Sequence, residues 1–338
     1  MTETILVTGG AGFIGSNFVH ALAARHPDRL LVNLDALTYA GNLENVAGVD
    51  QTFIKGDIAD VEDVRRAFDA CEGETCVVHF AAETHVDRSI QASLPFLRTN
   101  VLGTQVLLDV ARERGVARFL HVSTDEVYGP VAPGESSKEE SRLDPRNPYS
   151  ASKAASDHLV LAAHNTHGLA AIVTRCSNNY GPYQFPEKFV PLMIANARED
   201  QPLPIYGDGL YERDWIHVTD HCEALLEVLA KGRVGSVYNI AGHEHRTNLD
   251  VVKFILERLG KPLSLIRHVE DRPGHDRHYA PDAGRLETEL GWKPRFTFEE
   301  AMPETIRWYD EHGEWLERVR SGAYRDYYER QYGSRLET

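Results

Sequence analysis

The first half of the chain alternates short apolar runs with longer stretches in which apolar residues recur at helical spacing. Such runs are typical of buried strands, and the stretches between them are typical of helices. We predict six strands, over 4–8, 30–34, 52–55, 76–80, 118–123 and 170–175. We predict helices over 13–25, 61–70, 95–114 and 149–167. Strands that alternate with helices indicate parallel βαβ units, so the pattern predicts an α/β fold with a doubly wound parallel sheet.

The pattern changes after residue 175, where turn formers and aromatic residues become frequent. The stretches 178–188 and 271–278 have no apolar period and are predicted to be loops. We predict further helices over 189–198, 220–230, 248–259 and 299–311, with short strands near 205 and over 237–240. We therefore expect two domains, 1–176 with the doubly wound sheet and 177–338 as a smaller mixed α/β C-terminal lobe. Strand exchange across the boundary stays open.

Charge and composition exclude several classes of protein. The 338 residues include 36 basic and 51 acidic side chains, and the net charge of -15 disfavours a nucleic-acid or anionic-membrane binder. No apolar run approaches the length of a membrane-spanning helix. The four cysteines form no C-x-x-C pair, which suits a reducing compartment. We expect a cytoplasmic protein with no nucleic-acid and no membrane partner.

A glycine-rich turn, Gly9-Gly-Ala-Gly-Phe-Ile-Gly15, joins the first predicted strand to the first predicted helix. Glycines allow a backbone to approach a pyrophosphate closely, and the helix N-terminus offers unpaired N–H groups to it. Asp35 ends the second predicted strand, where a carboxylate accepts hydrogen bonds from ribose hydroxyls and repels a 2′-phosphate. The motif predicts NAD rather than NADP, and a tight turn without a nucleotide is the alternative. Asp57 and Ile58 end the third strand, at the place of an adenine, although Asp57 on spacing alone is also an ordinary loop carboxylate.

Tyr149 and Lys153 are four residues apart on a predicted helix, so both side chains lie on one face. An ammonium group near a phenol favours the phenolate, which lowers the tyrosine pKa from about 10. Such a tyrosine can take a hydroxyl proton while hydride leaves the same carbon. The pair alone also fits an ordinary solvated helix face.

The glycine motif and the Tyr149-x-x-x-Lys153 pair resemble those of the extended short-chain dehydrogenase/reductase family, many members of which act on nucleotide sugars. Longer strings resemble the nucleotide-sugar 4,6-dehydratases of that family over essentially the whole chain: LDALTYAGNLEN at 34–45, AAETHVDRS at 81–89, STDEVYG at 123–129, RCSNNYGPYQFPEK at 175–188, DRPGHDR at 271–277 and SGAY at 321–324. The resemblance implies a Rossmann-like NAD-binding domain at 1–176 and a nucleotide-sugar-binding lobe at 177–338.

The resemblance also implies a reaction, the conversion of dTDP-glucose to dTDP-4-keto-6-deoxyglucose plus water. Tyr149, with Lys153 and Thr124, takes the C4 hydroxyl proton as NAD accepts hydride from C4. Glu126 then removes the C5 proton, protonated Asp125 donates to the departing C6 hydroxyl, and the hydride returns to C6. Two adjacent carboxyl groups in different environments can fill the acid and base roles. Without the family strings, they are equally well two surface carboxylates in a turn.

The resemblance assigns the remaining site residues. The catalytic set is Thr124, Asp125, Glu126, Tyr149 and Lys153. The cofactor-binding set is Gly9, Gly12, Phe13, Ile14, Gly15, Asp35, Ala36, Leu37, Thr38, Asp57, Ile58, Phe80, Ala81, Ala82, Thr99, Tyr149, Lys153 and Asn179. The substrate-binding set is Thr84, Thr124, Asn178, Lys188, Phe189, Pro204, Ile205, Tyr206, Arg213, Asn248, Arg272 and His275. Three cations of that set, Lys188, Arg213 and Arg272, are suited to a diphosphate.

Other interpretations remain open. Another nucleotide-sugar 4,6-dehydratase, or a 4-epimerase of the same family, is the nearest alternative, and a non-catalytic NAD-sensing protein is a second. His217 and His221 lack an H-E-x-x-H context and a third ligand, so we expect no metal. The aromatic run at 324–332 is expected to pack on the lobe or on a partner subunit. The family further implies a homodimer through the helices at 95–114 and 149–167.

Overall fold

The computed structural model describes residues 3–320 and 328–333, so the string at 321–324 lies outside the described residues. The strands are β1 (Glu3–Thr8), β2 (Leu30–Asp35), β3 (Thr52–Lys55), β4 (Glu74–His79), β5 (Arg118–Thr124), β6 (Ala171–Cys176), β7 (Asn178–Tyr180), β8 (Leu203–Tyr206), β9 (Glu212–His217), β10 (Val237–Ile240), β11 (His245–Thr247) and β12 (Ile266–Val269). The helices are α1 (Phe13–Arg25), α2 (Val61–Asp69), α3 (Val86–Gln91), α4 (Leu94–Phe96), α5 (Thr104–Arg114), α6 (Pro148–His167), α7 (Phe189–Arg198), α8 (Val218–Lys231), α9 (Asn248–Leu259), α10 (Gly284–Leu290), α11 (Phe298–Glu311) and α12 (Gly313–Val319).

Seven strands form one parallel sheet in the order β3-β2-β1-β4-β5-β6-β10. The six strands predicted in the first half are all present in it, which confirms the doubly wound fold. The seventh strand, β10, follows residue 176 and pairs with the edge of β6, Val237 lying opposite Val173. The domain boundary near 176 stays a prediction.

Apolar side chains on both faces of each central strand hold the sheet between its helices. Along β1, Ile5 and Val7 join the core beneath α1 and α8, whereas Leu6 joins the core beneath α2 and α5. All three side chains are fully buried. Because successive residues of a strand point to opposite faces, a sheet covered on both faces needs continuous apolar runs. Burial of each such side chain stabilises the fold by about 1.5–3 kcal/mol.

The C-terminal lobe contains two small sheets, β7-β9-β11 and β8-β12. The prediction of a loop over 178–188 was wrong for its first residues, because Asn178–Tyr180 forms β7 and pairs with Trp215–His217 of β9. An aromatic core that includes Tyr180 and Tyr309 supports these strands. Tyr328 and Tyr332 pack against the same core, as expected for the C-terminal run, whose remaining residues 324–327 lie outside the described part.

Two long helical segments lie beside the main sheet. The segment predicted as one helix over 95–114 begins at α4, widens into π-helical turns over Leu97–Gly103 and continues as α5. Helix α6 begins at a capping box, in which the Asn147 side chain accepts from the Ser150 N–H at 2.9 Å. Within residues 3–320 and 328–333, none of the helices has the length and hydropathy needed to span a bilayer.

Helix α9 provides a local test of stability, because Thr247 caps it. Its hydroxyl accepts a hydrogen bond from the Asp250 N–H at 3.1 Å. Thr247→Ala should lower the free energy of unfolding by about 1 kcal/mol, and Thr247→Ser should retain most of it. Urea unfolding followed by circular dichroism measures both variants. Equal stabilities for the alanine and serine variants would contradict the role of this cap.

Candidate active site

A cavity of about 960 Å³ opens at the carboxyl ends of the parallel strands. It lies where β1 separates β2 from β4, the point at which the strand order reverses. Open α/β sheets bind ligands at this topological position. The cavity is lined by the glycine turn, the ends of β2, β4 and β5, and the start of α6. One site therefore collects most residues that the sequence selects.

At the glycine turn, neighbouring backbone segments pack too closely to leave space for a Cβ at Gly9 or Gly15. Gly9 has a φ of +74°, and a Cβ there would lie 2.6 Å from the Ala81 nitrogen. A Cβ on Gly15 would collide with the Gly9 carbonyl oxygen and lie 2.9 Å from the Gly10 Cα. Gly12 begins α1 without a side-chain cap, so the first-turn N–H groups stay available to an anion. These features fit a dinucleotide pyrophosphate.

Asp35 ends β2 with its carboxylate held against backbone. Its Oδ2 accepts from the Ala11 N–H at 2.9 Å and its Oδ1 from the Leu37 N–H at 2.8 Å. Burial raises the pKa of Asp35, and these two N–H groups act in the opposite direction. Each carboxylate oxygen can accept a second hydrogen bond, as from a ribose hydroxyl.

Asp57 and Ile58 lie at the mouth of the same cavity. Asp57 Oδ1 accepts from the Ala59 N–H at 2.8 Å, and its Oδ2 pairs with Arg98 on the π-helical segment. Ile58 is buried against Gly103 of that segment. The segment and the end of β3 thus enclose one end of the cavity.

Thr124, Asp125 and Glu126 follow one another at the carboxyl end of β5. The Thr124 hydroxyl donates to Asp125 Oδ1 and accepts from the Glu126 N–H, each at 3.3 Å. Asp125 is 3% exposed, and its Oδ2 has no hydrogen-bond partner among the described residues. Burial raises the pKa of Asp125 well above its ordinary value, and the charges of Glu126 and Asp214 add to the effect. A buried carboxyl group with a raised pKa is suited to donate a proton.

Tyr149 and Lys153 face the same cavity from α6. The expected lowering of the Tyr149 pKa is not found: burial raises it well above its ordinary value, and the Glu126 charge raises it further. A hydrogen bond with Thr124 acts in the opposite direction. The Lys153 ammonium instead donates to the Val122 carbonyl at 2.9 Å. Helical spacing places the two residues on one face, but the Lys153 charge is not among the leading causes of the Tyr149 pKa shift.

The predicted site residues divide into two groups. The lining of the cavity includes Gly9, Gly12, Phe13, Ile14, Gly15, Asp35, Ala36, Thr38, Asp57, Ile58, Phe80, Ala81, Ala82, Thr84, Thr99, Thr124, Asp125, Glu126, Tyr149, Lys153, Asn178, Asn179 and Lys188. It does not include Leu37, Phe189, Pro204, Ile205, Tyr206, Arg213, Asn248, Arg272 or His275. Ile205 lies in the core of the lobe with its side chain buried, and Phe189 stacks on Trp215.

Three cations approach Glu126 from the lobe. Lys188 donates to the Thr84 carbonyl at 2.8 Å, Arg213 donates to the Asp276 carbonyl at 2.8 Å, and Arg272 pairs with Asp87 at 3.3 Å. The charge of Glu126 acts on the pKa of each of them. His275 and Tyr206 lie beside Arg272, with their rings 5.9 Å apart. Lys188, Arg213 and Arg272 form a cationic wall next to Asp125 and Glu126, and Tyr206 and His275 adjoin it.

The sequence interpretation missed three residues at this site. Asp87 is 5% exposed, pairs with Arg272 and accepts from the Tyr206 hydroxyl at 3.0 Å. Cys176 lines the cavity, and burial raises the pKa of its thiol to about 12. His221 contacts Asn179 Oδ1 through Nδ1 at 2.9 Å. The position of Cys176 at the end of a predicted strand was a usable signal, since such ends carry site residues. Asp87 and His221 become neighbours of the site only through tertiary packing.

His217 and His221 do not form a metal centre with other side chains. In the described parts of the chain, no group of three or more His, Cys, Asp or Glu residues has the geometry to hold a metal ion. Burial lowers the pKa of His217 to about 4 and that of His221 to about 3, so both rings are neutral at physiological pH. The two histidines are packing and positioning side chains.

Comparison with known proteins agrees with this geometry. The family model described as GDP-mannose 4,6 dehydratase matches residues 6–305. The dTDP-glucose 4,6-dehydratase of Xanthomonas campestris pv. campestris (strain B100) is 51% identical, with 95% of this chain and 97% of that protein covered. The crystal structure of the Bacillus anthracis str. Ames dTDP-glucose 4,6-dehydratase, in complex with NAD, superposes with a TM-score of 0.88 at 47% identity and covers 94% of this chain and 100% of that one.

Epimerases share the fold at lower identity. The Thermus thermophilus UDP-glucose 4-epimerase, solved as a complex with NAD, gives a TM-score of 0.86 at 32% identity and covers 91% of this chain and 99% of that one. The fold alone thus fits both reactions, whereas the full-length similarity is greater to the dehydratases. The chain belongs to the dTDP-glucose 4,6-dehydratase family, within the extended short-chain dehydrogenases/reductases.

Proposed function

We propose that this chain converts dTDP-glucose to dTDP-4-keto-6-deoxyglucose and water with a resident NAD. The observation that carries the proposal is the acid pair at the end of β5. Asp125 is buried with an unpartnered oxygen and a raised pKa, and it is adjacent to the partly exposed Glu126 in a cavity shared with Tyr149. Removal of water from a sugar needs one group that takes a proton and one that gives a proton.

The glycine turn, Asp35 and the end of β3 would hold NAD, which supplies a hydride acceptor for C4 and a hydride donor for C6. The first turn of α1 would hold the pyrophosphate, and the Asp35 carboxylate would accept from the adenosine ribose. The Asp57 carboxylate, Ile58 and Arg98 border the adenine end. Leu37 does not line the cavity and would act indirectly, because its N–H holds the Asp35 carboxylate.

Tyr149 takes the proton of the C4 hydroxyl group, and the neighbouring Thr124 hydroxyl acts to lower the pKa of its phenol. The 4-keto group that results acidifies the C5 proton. Glu126 removes that proton, and protonated Asp125 delivers its own proton to the C6 hydroxyl, which leaves as water. The C5–H and C6–O bonds break while the C5–C6 double bond forms. That double bond then takes up at C6 the hydride that left C4, and at C5 a proton from Glu126, so the complete cycle consumes no external oxidant or reductant.

The cationic wall of Lys188, Arg213 and Arg272 supports an assignment for the other end of the substrate. Guanidinium and ammonium groups bind diphosphate oxygens through charge-assisted hydrogen bonds. Tyr206, His275 and Asn248 adjoin this wall in the lobe, and we assign the nucleoside to that region. The chain has a net charge of -15, so this local wall is what makes an anionic ligand compatible with it.

We further infer that two copies of the chain pair through the α4–α5 segment and α6. The apolar side chains Leu94, Leu97 and Leu102 of the first segment are exposed by 75%, 48% and 51%. All three side chains also line the cavity, so the inference rests on their exposure together with the resemblance of these helices to those of the family. Analytical ultracentrifugation should give a dimer mass, and a monomer at micromolar concentration would contradict the inference.

The deciding experiment is incubation of the purified protein with dTDP-glucose and no added NAD. We expect a 4-keto-6-deoxy product, detected by its alkaline absorbance. Turnover of UDP- or CDP-glucose in place of dTDP-glucose would overturn the nucleotide assignment, and a 4-epimer product would overturn the reaction. Absence of turnover with every nucleotide sugar would favour a non-catalytic NAD-binding protein.

The fit to NAD is tested by Gly15→Ala. The added methyl group collides with the Gly9 carbonyl and should displace the turn, at a cost of about 1–3 kcal/mol in NAD affinity. The purified variant should lose most of its bound dinucleotide, measured by chromatography after denaturation. Gly313→Ala is the control, because a Cβ there meets no atom within 4 Å. Unchanged dinucleotide content in Gly15→Ala would contradict the placement of the pyrophosphate.

A further inference from the structure

The Lys153 ammonium contacts β5, the strand that leads into the acid pair Asp125 and Glu126. Lys153 is 4% exposed, and its Nζ lies 2.9 Å from the Val122 oxygen and 3.5 Å from His121 Nε2. His121 and Val122 belong to β5, three and two positions before Thr124. The charged end of Lys153 therefore meets a fully buried histidine that does not line the cavity.

His121 connects Lys153 to a carboxylate on the same helix. Its Nε2 lies 3.2 Å from Ser156 Oγ and 3.5 Å from Asp157 Oδ1. The Ser156 hydroxyl donates to the Lys153 carbonyl at 2.8 Å, so its oxygen is left to accept from His121. The same imidazole nitrogen thus faces one cation and two acceptors. Which of them it binds depends on whether Lys153 carries its proton.

Asp157 is fixed from its other side. It is fully buried, and its Oδ2 accepts from Arg175 Nε at 2.9 Å. Arg175 donates in turn to the Tyr128 hydroxyl at 2.9 Å. One carboxylate oxygen is thus held by a β6 guanidinium, and the other lies 3.5 Å from His121 Nε2 without a hydrogen bond from any described residue. This arrangement leaves the carboxylate little freedom to turn away from Lys153.

A buried ammonium group needs a compensating anion, because removal from water disfavours its charged form. The titratable groups that interact with the Lys153 charge are His79 of β4, His121 of β5, Cys176 of β6 and Asp157 of its own helix. Tyr149 precedes Lys153 by four residues on that helix, and Arg175 of β6 faces Asp157. Burial lowers the pKa of Lys153 to about 8, with Asp157 and Cys176 acting against it. Burial also lowers the pKa of His121 to about 4, so its ring is neutral. Burial acts to raise the pKa of Asp157, but His121 and Arg175 outweigh it and the net pKa is lowered, so Asp157 is the anion of the set.

We propose that His121 and Asp157 are positioning residues for Lys153, which hold its side chain against β5 and keep its amine protonated while Tyr149 acts. The proposal rests on the proposed function of Tyr149 and Lys153. It adds a buried array, which the sequence motif does not contain, to the residues that support C4 oxidation. Removal of Asp157 should shift the equilibrium of Lys153 towards the neutral amine, which places no positive charge on the helix face that it shares with Tyr149.

The test is an NMR titration of the holoenzyme labelled at the lysine ε-carbons, with the Lys153 resonance assigned from Lys153→Arg. The titration midpoint should fall by about one pH unit in Asp157→Asn, since an opposite charge is lost. It should also fall in His121→Leu, which removes the acceptor that faces the ammonium, and His121→Gln should restore it because the amide oxygen accepts from Lys153. In both lowering variants kcat should fall at neutral pH while KM is unchanged, because neither residue lines the cavity.

His79→Gln is the matched control. The His79 ring lies 5.1 Å from that of His121 and is equally buried, but its nitrogens bind Thr8 and Thr104. The titration midpoint of Lys153 in His79→Gln should equal that of the parent protein. Thermal melting shows which variants are folded. If Asp157→Asn does not fold, the two His121 variants test the proposal. An unchanged midpoint in folded His121→Leu would overturn the proposal. The titration needs no substrate, so it is independent of the turnover experiment that tests the proposed function.

Discussion

The double variant Asp125→Asn/Glu126→Gln should eliminate water at least about 10³-fold more slowly than the parent chain, since it lacks both the acid and the base. The first step uses Tyr149 and should continue slowly. Substrate oxidised at C4 then accumulates on the protein together with the near-ultraviolet absorbance of a reduced nicotinamide. Stopped-flow absorbance follows that signal, and the alkaline assay follows the product. The two effects should not simply add in the single variants, because both groups serve one step.

Glu135→Gln is the control for this pair, since Glu135 is an exposed carboxylate on a surface turn. It should react at the parental rate. Product formation by the double variant at a near-parental rate would show that the acid and base are other residues.

The pH dependence of elimination follows from the Asp125 environment. Burial raises the pKa of Asp125 well above its ordinary value, and the protonated form is the one that donates. The rate of elimination should therefore fall as the pH rises through that pKa, and the Asp125→Asn variant should lack this dependence in its residual activity.

Tyr149→Phe should lower turnover by about 10²- to 10⁴-fold, because it removes the group that takes the C4 proton. Unlike the double variant, it should give neither product nor the nicotinamide signal, since the first step is blocked. The phenylalanine keeps the edge contact with Phe96, whose ring lies 6.4 Å from that of Tyr149. A loss of activity is then a loss of the hydroxyl group rather than of packing.

Tyr238→Phe is the matched control for Tyr149→Phe. Tyr238 is fully buried, and its hydroxyl donates to Glu289 Oε2 at 2.8 Å, away from the cavity lining. It should affect stability but leave kcat nearly unchanged. Equal losses of kcat in the two variants would show that Tyr149 acts through structure alone.

The main sheet was predictable because its signals are local. Strands such as β1 and β4 are buried on both faces and read as continuous apolar runs, and Gly9 to Gly15 needs no distant partner to be recognised. The short strands β7, β9 and β11 carry no such run. Asn178 and Trp215 pair only because the lobe folds around them, so sequence spacing gave no signal for β7.

The sequence predicted which residues line the cavity better than it predicted their pKa shifts. The residues predicted to be catalytic, and most of those predicted to contact the cofactor, line one cavity because their motifs follow strand ends. The Tyr149 pKa was mispredicted because helical spacing reports which side chains are neighbours, whereas burial and the Glu126 charge set the direction of the shift. Asp157 lies four residues after Lys153, so helical spacing could have selected it, whereas the contact of both with His121 of β5 arises only in the folded chain.

The edge position of β10 has a consequence for how the chain can be divided. All six residues of β6 are buried, and β10 pairs with its outer side. A fragment ending at residue 176 would lack that partner and present a row of unpaired N–H and C=O groups on an apolar strand. Exposed edges of this kind template intermolecular pairing. Residues 1–176 expressed alone should therefore self-associate and precipitate, even though the motifs of the predicted dinucleotide site are intact.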